Sequence, residues 1–408
     1  MRRIKKSCAV AVLLTVVPIA GQADDWPQWR GPGRDGVSAE SGLQFGWGDE
    51  GPAVLWDREA GGGYSGMSVA GGHLFTMWSD DESEFVVVLD AGTGREVWRI
   101  RIDELFTRGD GRDGPRSTPT VDGDRLYVQT ASGRLVALAV DDGRTLWSHH
   151  LIEDFGAEVP HYGFSSSPLV EGSMLIAAVG GSEDRSIMAF DKMSGEVLWG
   201  AHDDKTGYAS PIAVDGPGGR QIVLLNGNTV SSVSLDGELL WTHPWPHDYQ
   251  LNIATPLAVS NHRIFVSTSY DIGSMMLEIH EMDANLGVSE VWRNKVLKNH
   301  FQSSVILGDH IYGFDNAILK CVVAETGEEC WARRGFGKGQ LLLVDGHLIV
   351  LGERGKLAVV EASEEGYNEI ASAQVLRERC WTPPTLSDGR LFVRTETQIM
   401  SFDLGAEG

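Results

Sequence analysis

The sequence predicts an all-β protein: an eight-bladed β-propeller of four-stranded antiparallel blades, its last blade closed by an amino-terminal strand. Three observations predict it. Glycine supplies 50 of 408 residues and tryptophan 13, and glycine at about 12% stands well above the usual level of about 7%. Trp98, Trp147, Trp199, Trp241, Trp292 and Trp331 recur 39 to 52 residues apart. Between them run short apolar stretches punctuated by Gly-containing turns, and no stretch keeps a helical period over three turns.

Each repeat reads as one blade. In STPTVDGDRLYVQTASGRLVALAVDDGRTLW, from Ser117 to Trp147, a strand ends at a Val-Asp-Gly turn. A strand from Arg125 to Thr130, a Ser132-Gly133 turn, a strand from Leu135 to Val140 and an Asp-Asp-Gly turn follow, before a last strand ending in Trp147. That is four strands joined by three hairpins, with turn residues where turns are needed. VVVLDAGTGREVW ends at Trp98, IMAFDKMSGEVLW at Trp199, SSVSLDGELLW at Trp241, SEVW at Trp292 and AETGEECW at Trp331. A seventh unit, from Leu341 to about Ala371, lacks the Trp, and an eighth opens at Thr382 with only three strands. Its fourth is expected from Ala53-Val54-Leu55-Trp56, which leaves the ring no free edge. Length alone suggests two or three domains; the repeat replaces them with one ring over residues 51–408. Trp56 and the six repeat tryptophans are expected to pack between neighbouring blades.

The remaining segments are read in order. Residues 1–23 have the three parts of a secretory signal peptide: Arg2, Arg3, Lys5 and Lys6, an apolar run from Cys8 to Val17, and small residues at Gly21 and Ala23. Cleavage after Ala23 is expected, giving an exported periplasmic or extracellular protein. It takes the net charge from −23 to −27 by removing those four cations. Cys8 precedes the apolar run, so no lipid anchor is expected, and no other run is long enough to span a bilayer. Residues 24–50 carry Trp26, Trp29 and Trp47 among Gly and Pro, and are expected to lie against the propeller rather than act as a flexible linker. A monomer is expected.

Charge and motifs exclude several functions. With 57 acidic and 34 basic residues, the chain has no basic face for nucleic acid and should be repelled by anionic lipid. Gly61-Gly62-Gly63-Tyr64-Ser65-Gly66 matches a dinucleotide fingerprint by letter, but a strand follows it where a helix is required. Asp110-Gly111-Arg112-Asp113-Gly114 lacks the acidic spacing of a calcium loop and reads as a solvated turn. No metal-spaced Cys/His cluster, nucleophile elbow or HExxH occurs, and no catalytic residue is assigned. Cys321 and Cys330 flank the turn Ala324-Glu325-Thr326-Gly327, so a cross-strand disulfide and two separate thiols are both compatible with the spacing.

The blade signature is [S/T/A]-x-P before the first strand, then L-x-A-[L/F]-D-x-x-[S/T]-G-x-x-x-W over the third and fourth. It resembles the pyrroloquinoline-quinone-like propeller repeat from about Ala53 to Leu404. Asp25-Trp26-Pro27-Gln28-Trp29-Arg30-Gly31-Pro32 is similar to the opening of secreted bacterial members of that family. The resemblance implies one of two functions. One is a scaffold of the BamB outer-membrane assembly kind, which binds an envelope protein or peptide. The other is a periplasmic quinoprotein oxidoreductase, which holds its quinone (PQQ) between a Trp and a vicinal Cys pair, with Ca2+ held by Glu and Asn and an Asp base. This sequence has no adjacent cysteines, so no cofactor is assigned and the scaffold is the expected function.

In either case the loops leading from an outer strand to the next blade's inner strand should carry the site. The candidate binding residues are Tyr64, Arg116, His161, Tyr162, Tyr208, Tyr249, Asn252, His300, Gln302, Arg379 and Trp381, with Ser165, Ile253, Phe301 and Lys338 on the same loops. They mix flat faces with hydrogen-bond donors, as a polar ligand requires. Any propeller must fill its channel mouth, so each residue alone could equally be packing.

Overall fold

The computed structural model describes residues 25–108, 112–282 and 285–405. The expected leader with its cleavage point, and Asp110 and Gly111 of the acidic turn, lie outside the described residues. Eight sheets follow one another around a ring. The first blade runs from channel to rim as Ser68–Ala70, His73–Ser79, Ser83–Asp90 and Glu96–Glu104. Six more blades cover 120–150, 169–201, 212–244, 257–294, 305–333 and 340–374. The eighth is Thr385–Ser387, Arg390–Arg394 and Gln398–Asp403, completed by Ala53–Glu59. Ala53 pairs with Asp403 and Glu59 with Gln398 in the closing ladder. Among the described residues there is a single short helix, Leu151–Phe155.

The middle strands are buried on both faces, which is why they read as continuous apolar runs such as FVVVLD. The core is not central but lies between blades. Phe75, Val86 and Val88 of the first blade, for example, meet Leu126, Val136 and Leu138 of the second.

The turn Gly and the Trp of the repeat are coupled across five of these interfaces. Trp56, Trp98, Trp147, Trp199, Trp292 and Trp331 each donate an indole N–H to the carbonyl of a residue just after the next blade's third strand, at 2.7–3.1 Å. Beneath Trp147 lies Gly195, at φ 79°, where an added Cβ would sit 2.7 Å from the ring. Trp241 departs from the pattern and donates to Gln221 in its own blade at 2.9 Å. The fifth blade ends in the long hairpin Gly273–Met282 and Asn285–Asn294, which replaces the tight turn the indole would cap. Ala371 holds the Trp position of the seventh blade. There Phe45 packs into the interface with the eighth blade, flanked by Trp47, and the Gln44 N–H bonds the Leu404 carbonyl at 2.9 Å in place of an indole.

The segment 25–50 enters the channel from the face opposite the junction loops, reverses inside it, and leaves by the same face: Asp25 bonds the Gly71 turn at one end, and Glu40 and Gly42 bond the Gly389 and Asp345 turns at the other. Trp26 is buried and pairs with Val69 of the first blade, and the Val121 N–H of the second donates to the Pro27 carbonyl. Trp29 donates to Thr255 in the fifth blade at 2.9 Å. Arg30 donates to the Ser303 and Ser304 carbonyls on one side, and Arg34 to those of Ser167 and Pro168 on the other. Val37–Ser38 then adds a parallel strand to the seventh blade. The channel is therefore stoppered by this chain's own backbone and two buried guanidinium groups. Burial lowers their pKa to about 10 and about 9, still charged at neutral pH.

Arg394 makes a similar link where the ring closes. It is fully buried and donates from the eighth blade to the Ser65 and Met77 carbonyls of the first at 3.1 Å.

Cys321 stands opposite Trp331, because a bulge displaces Cys330 from the ladder. The three cysteines of the described residues are free thiols.

Candidate functional site

A blade's strands alternate in direction, so two kinds of loop reach the same face. One joins adjacent blades; the other joins the second and third strands. Together they line a cavity of about 290 Å³ over the stoppered channel. All eight junctions between blades contribute. In order around the ring they supply Tyr64, Arg112 with Arg116, Tyr162 with Ser165, Tyr208, Ile253, His300 with Phe301, Lys338, and Trp381. Tyr270 enters from the second-to-third-strand turn of the fifth blade, and Trp29 closes the inner end.

The walls are flat, and cations stand among the rings; Arg116 donates to the Gly114 and Arg112 carbonyls of its own loop. Phe301 and Trp381 have ring centroids 4.8 Å apart, and Tyr64 lies 5.7 Å from Trp381 on its other side. The Trp381 indole is fixed by a 3.1 Å bond to Glu353, which stands behind the wall. The Arg112 guanidinium lies over Tyr162 at 4.8 Å and that of Arg116 over Tyr64 at 5.5 Å, both within cation–π range. His300 bonds the Tyr270 hydroxyl at 2.9 Å. Burial, with Lys338 and Arg112 nearby, lowers the His300 pKa to about 4, so its ring is neutral at neutral pH. Burial also lowers Lys338, and Arg112 lowers it further. Burial, then Glu396, raises the Tyr64 phenol to about 12, so it stays protonated. The lining holds three cations and no carboxylate, in a protein of net charge −23.

Of the candidates from the sequence, Tyr64, Arg116, Tyr162, Tyr208, His300 and Trp381 meet in this funnel. His161 and Tyr249 do not; they line a second cleft of about 100 Å³ with Lys205 and Val159, which shares Tyr208 with the funnel. Arg379 lies behind Trp381, 4.4 Å from the ring centroid and paired with Glu396 at 3.1 Å. Asn252 and Gln302 are fully buried. Asn252 donates to the Asn226 and Gly227 carbonyls, and Gln302 to that of Asn316. Both satisfy backbone that would otherwise be orphaned. Sequence reasoning missed Trp29, Arg112 and Tyr270. Tyr270 was legible in principle, since the second hairpin of each blade faces the same way.

A calcium-held quinone does not fit these residues. The cysteines are dispersed, with Cys321 and Cys330 in the sixth blade and Cys380 against the eighth. No group of three His, Cys, Asp or Glu among the described residues is placed to hold a metal ion. Of the carboxylates near the mouth, Asp204 is committed to Asn228 and Thr229, and Glu378 to Thr395 and Thr397.

Fold and site together define a closed β-propeller with a blind, loop-built funnel on one face. The chain belongs to the family described as outer membrane protein assembly factor BamB, whose model matches residues 47–159 and 86–333. The BamB of Shewanella oneidensis is 26% identical over 316 residues, covering 72% of this chain and 70% of that protein. The quinohemoprotein alcohol dehydrogenase ADH IIB of Pseudomonas putida is 28% identical over 119 residues, which is 28% of this chain and only 17% of the enzyme. The crystal structure of BamB from Moraxella catarrhalis matches with a TM-score of 0.62 at 14% identity, over 87% of this chain and 98% of that one. At that identity the likeness speaks for the fold alone. Among the described residues no helix is long and apolar enough to cross a membrane.

Proposed function

We propose that this propeller is an exported scaffold of the cell envelope that holds a protein or extended peptide on its funnel face, as its family resemblance implies. The observation that carries the reading is the funnel itself. Eight junctions converge on one stoppered mouth lined by aromatic rings and cations, and the adjoining cleft extends that surface toward the rim. Loops on a rigid frame are where binding surfaces are built. Tyr249, 71% exposed at the edge of the cleft, is a large ring left in solvent where a partner would cover it.

The test is a photo-crosslinking residue at position 249, followed by affinity capture from the native envelope fraction. A specific protein should be recovered. The double variant Arg116→Ala, Trp381→Ala should weaken capture while thermal unfolding shows an intact ring. Equal capture by the double variant would reject this face, and no specific capture by the wild type would reject the scaffold.

A further inference from the structure

We propose that the funnel takes the carboxylate end of an extended chain whose last side chain is aromatic, with the preceding residues leaving over Tyr208 along the cleft of His161 and Tyr249. This rests on the partner-binding reading and names what the face recognises.

Four observations lead there. The funnel is blind: Trp29 closes it, and the chain beneath is held by Arg30 and Arg34 to opposite sides of the ring. A continuous peptide would have to reverse inside about 290 Å³, whereas a chain end need not. Secondly, the funnel is an anion site by composition. Arg112 and Lys338 come from different junctions, and no carboxylate lines the wall. Lys338 has no ion-pair partner among the described residues; its ammonium lies 5.9 Å from the Phe301 ring centroid. His300 Nδ1 is buried with no hydrogen-bond partner. Arg112 and Lys338 each disfavour charge on His300, and Arg112 on Lys338; Glu353 behind the wall offsets part of this on both, and a bound carboxylate would add to that relief.

Thirdly, Phe301 and Trp381 meet at 4.8 Å and 47°, so they form an angled wall that an aromatic side chain can enter edge-on. Fourthly, the exit is built. Tyr208 is shared between funnel and cleft, its hydroxyl accepts from the Tyr162 backbone at 3.2 Å, and Val159 and Tyr249 are 42% and 71% exposed beyond it.

The test uses the full chain and synthetic peptides, read by tryptophan fluorescence and calorimetry. The probe is Gly-Ser-Thr-Val-Ser-Gly-Thr-Phe with a free carboxylate. Its carboxyl-terminal amide should bind about tenfold more weakly or worse, as expected for loss of a charge-assisted contact. Lys338→Met should erase the difference between acid and amide, and Lys338→Arg should restore it. Tyr249→Ser should weaken the octapeptide but leave the dipeptide Thr-Phe unchanged. Equal affinity for acid and amide would overturn the chain-end reading. So would phenylpropionate binding as tightly as the octapeptide, which would mark a site for small aromatic acids. An amidated peptide with an internal Glu binding best would assign the site to acidic segments instead. If an envelope protein is captured but none of these peptides binds, the scaffold stands and this inference fails. If the acid peptide binds as stated and no protein is captured, the reverse holds.

Discussion

Trp147 lies directly over Gly195 of the following blade, and its indole donates to the Lys192 carbonyl at 3.1 Å. The contact, repeated in five blades, explains why the repeat pairs a turn Gly with a blade-end Trp. The ring needs a surface with no Cβ, and the turn needs a residue at φ 79°. Gly195→Ala should therefore cost about 2–4 kcal/mol, combining overpacking with left-handed strain. Gly172, at φ 59° with nothing within 4 Å of a built Cβ, should cost only about 1 kcal/mol when changed to Ala. Chemical unfolding of the two variants checks the difference; equal losses would show that the indole contact carries no penalty.

The channel stopper should be part of the fold. Arg34→Met leaves the Ser167 and Pro168 carbonyls without their donor, a loss of about 2–4 kcal/mol for buried acceptors. Limited proteolysis should leave residues 25–50 intact in the wild type and cut within 25–36 in the variant. Trimming of the wild type up to Gly48 would contradict the packed segment.

Stability should fall as pH rises through Glu84. This side chain is fully buried in the third strand of the first blade, beside Asp103 across the ladder and near Arg116. Oε1 accepts from the Phe106 N–H at 3.3 Å, and Oε2 has no partner. Burial raises its pKa from 4.5 to about 8. The native state thus holds a proton that the unfolded chain releases. The stabilisation is complete below about pH 4.5 and is lost as pH rises through about 8. Melting temperature measured from pH 5 to 9 should decline more steeply for the wild type than for Glu84→Gln. Parallel profiles would locate the pH dependence elsewhere.

Thiol reactivity should follow burial. Cys380 is fully buried, and burial raises its pKa to about 12. Burial raises Cys321 as well, with Cys330 beside it. N-ethylmaleimide at neutral pH should modify the half-buried Cys330 first and reach Cys380 only on unfolding. Rapid labelling of Cys380 in the folded protein would refute its placement.

The ring was legible because its repeat is a physical coupling: in five blades the turn glycine sits under the preceding blade's tryptophan, so both recur in phase. The closing strand at Ala53 was legible because the eighth unit lacked one. The site was half legible. Repeat phase located the loops between blades, and with them Tyr64, Tyr208 and Trp381. It gave no weight to the second hairpin, so Tyr270 was missed. It could not separate a side chain facing the ligand from one tying down its own loop, as Asn252 and Gln302 do. Nor could it distinguish a segment lying on the ring from one folded back inside its channel, and so Trp29 was expected as packing and not as the floor of the funnel. The seventh blade's missing Trp was visible, but its replacement by Gln44 and Phe45 depends on a path through space that no local pattern encodes.

The strand that completes the last blade, Ala53–Glu59, waits for a partner separated from it by about 340 residues. Bringing such distant segments together costs about 5 kcal/mol of loop-closure entropy before any ladder forms. High contact order of this kind makes the final step slow. Until the eighth blade exists, the early strand and the stopper ahead of it remain exposed, apolar and open to wrong pairing. A polypeptide interrupted before Gln398 lacks the strand that Ala53–Glu59 pairs with and leaves the ring open. Closure thus ties the first strand of the ring to the last one made.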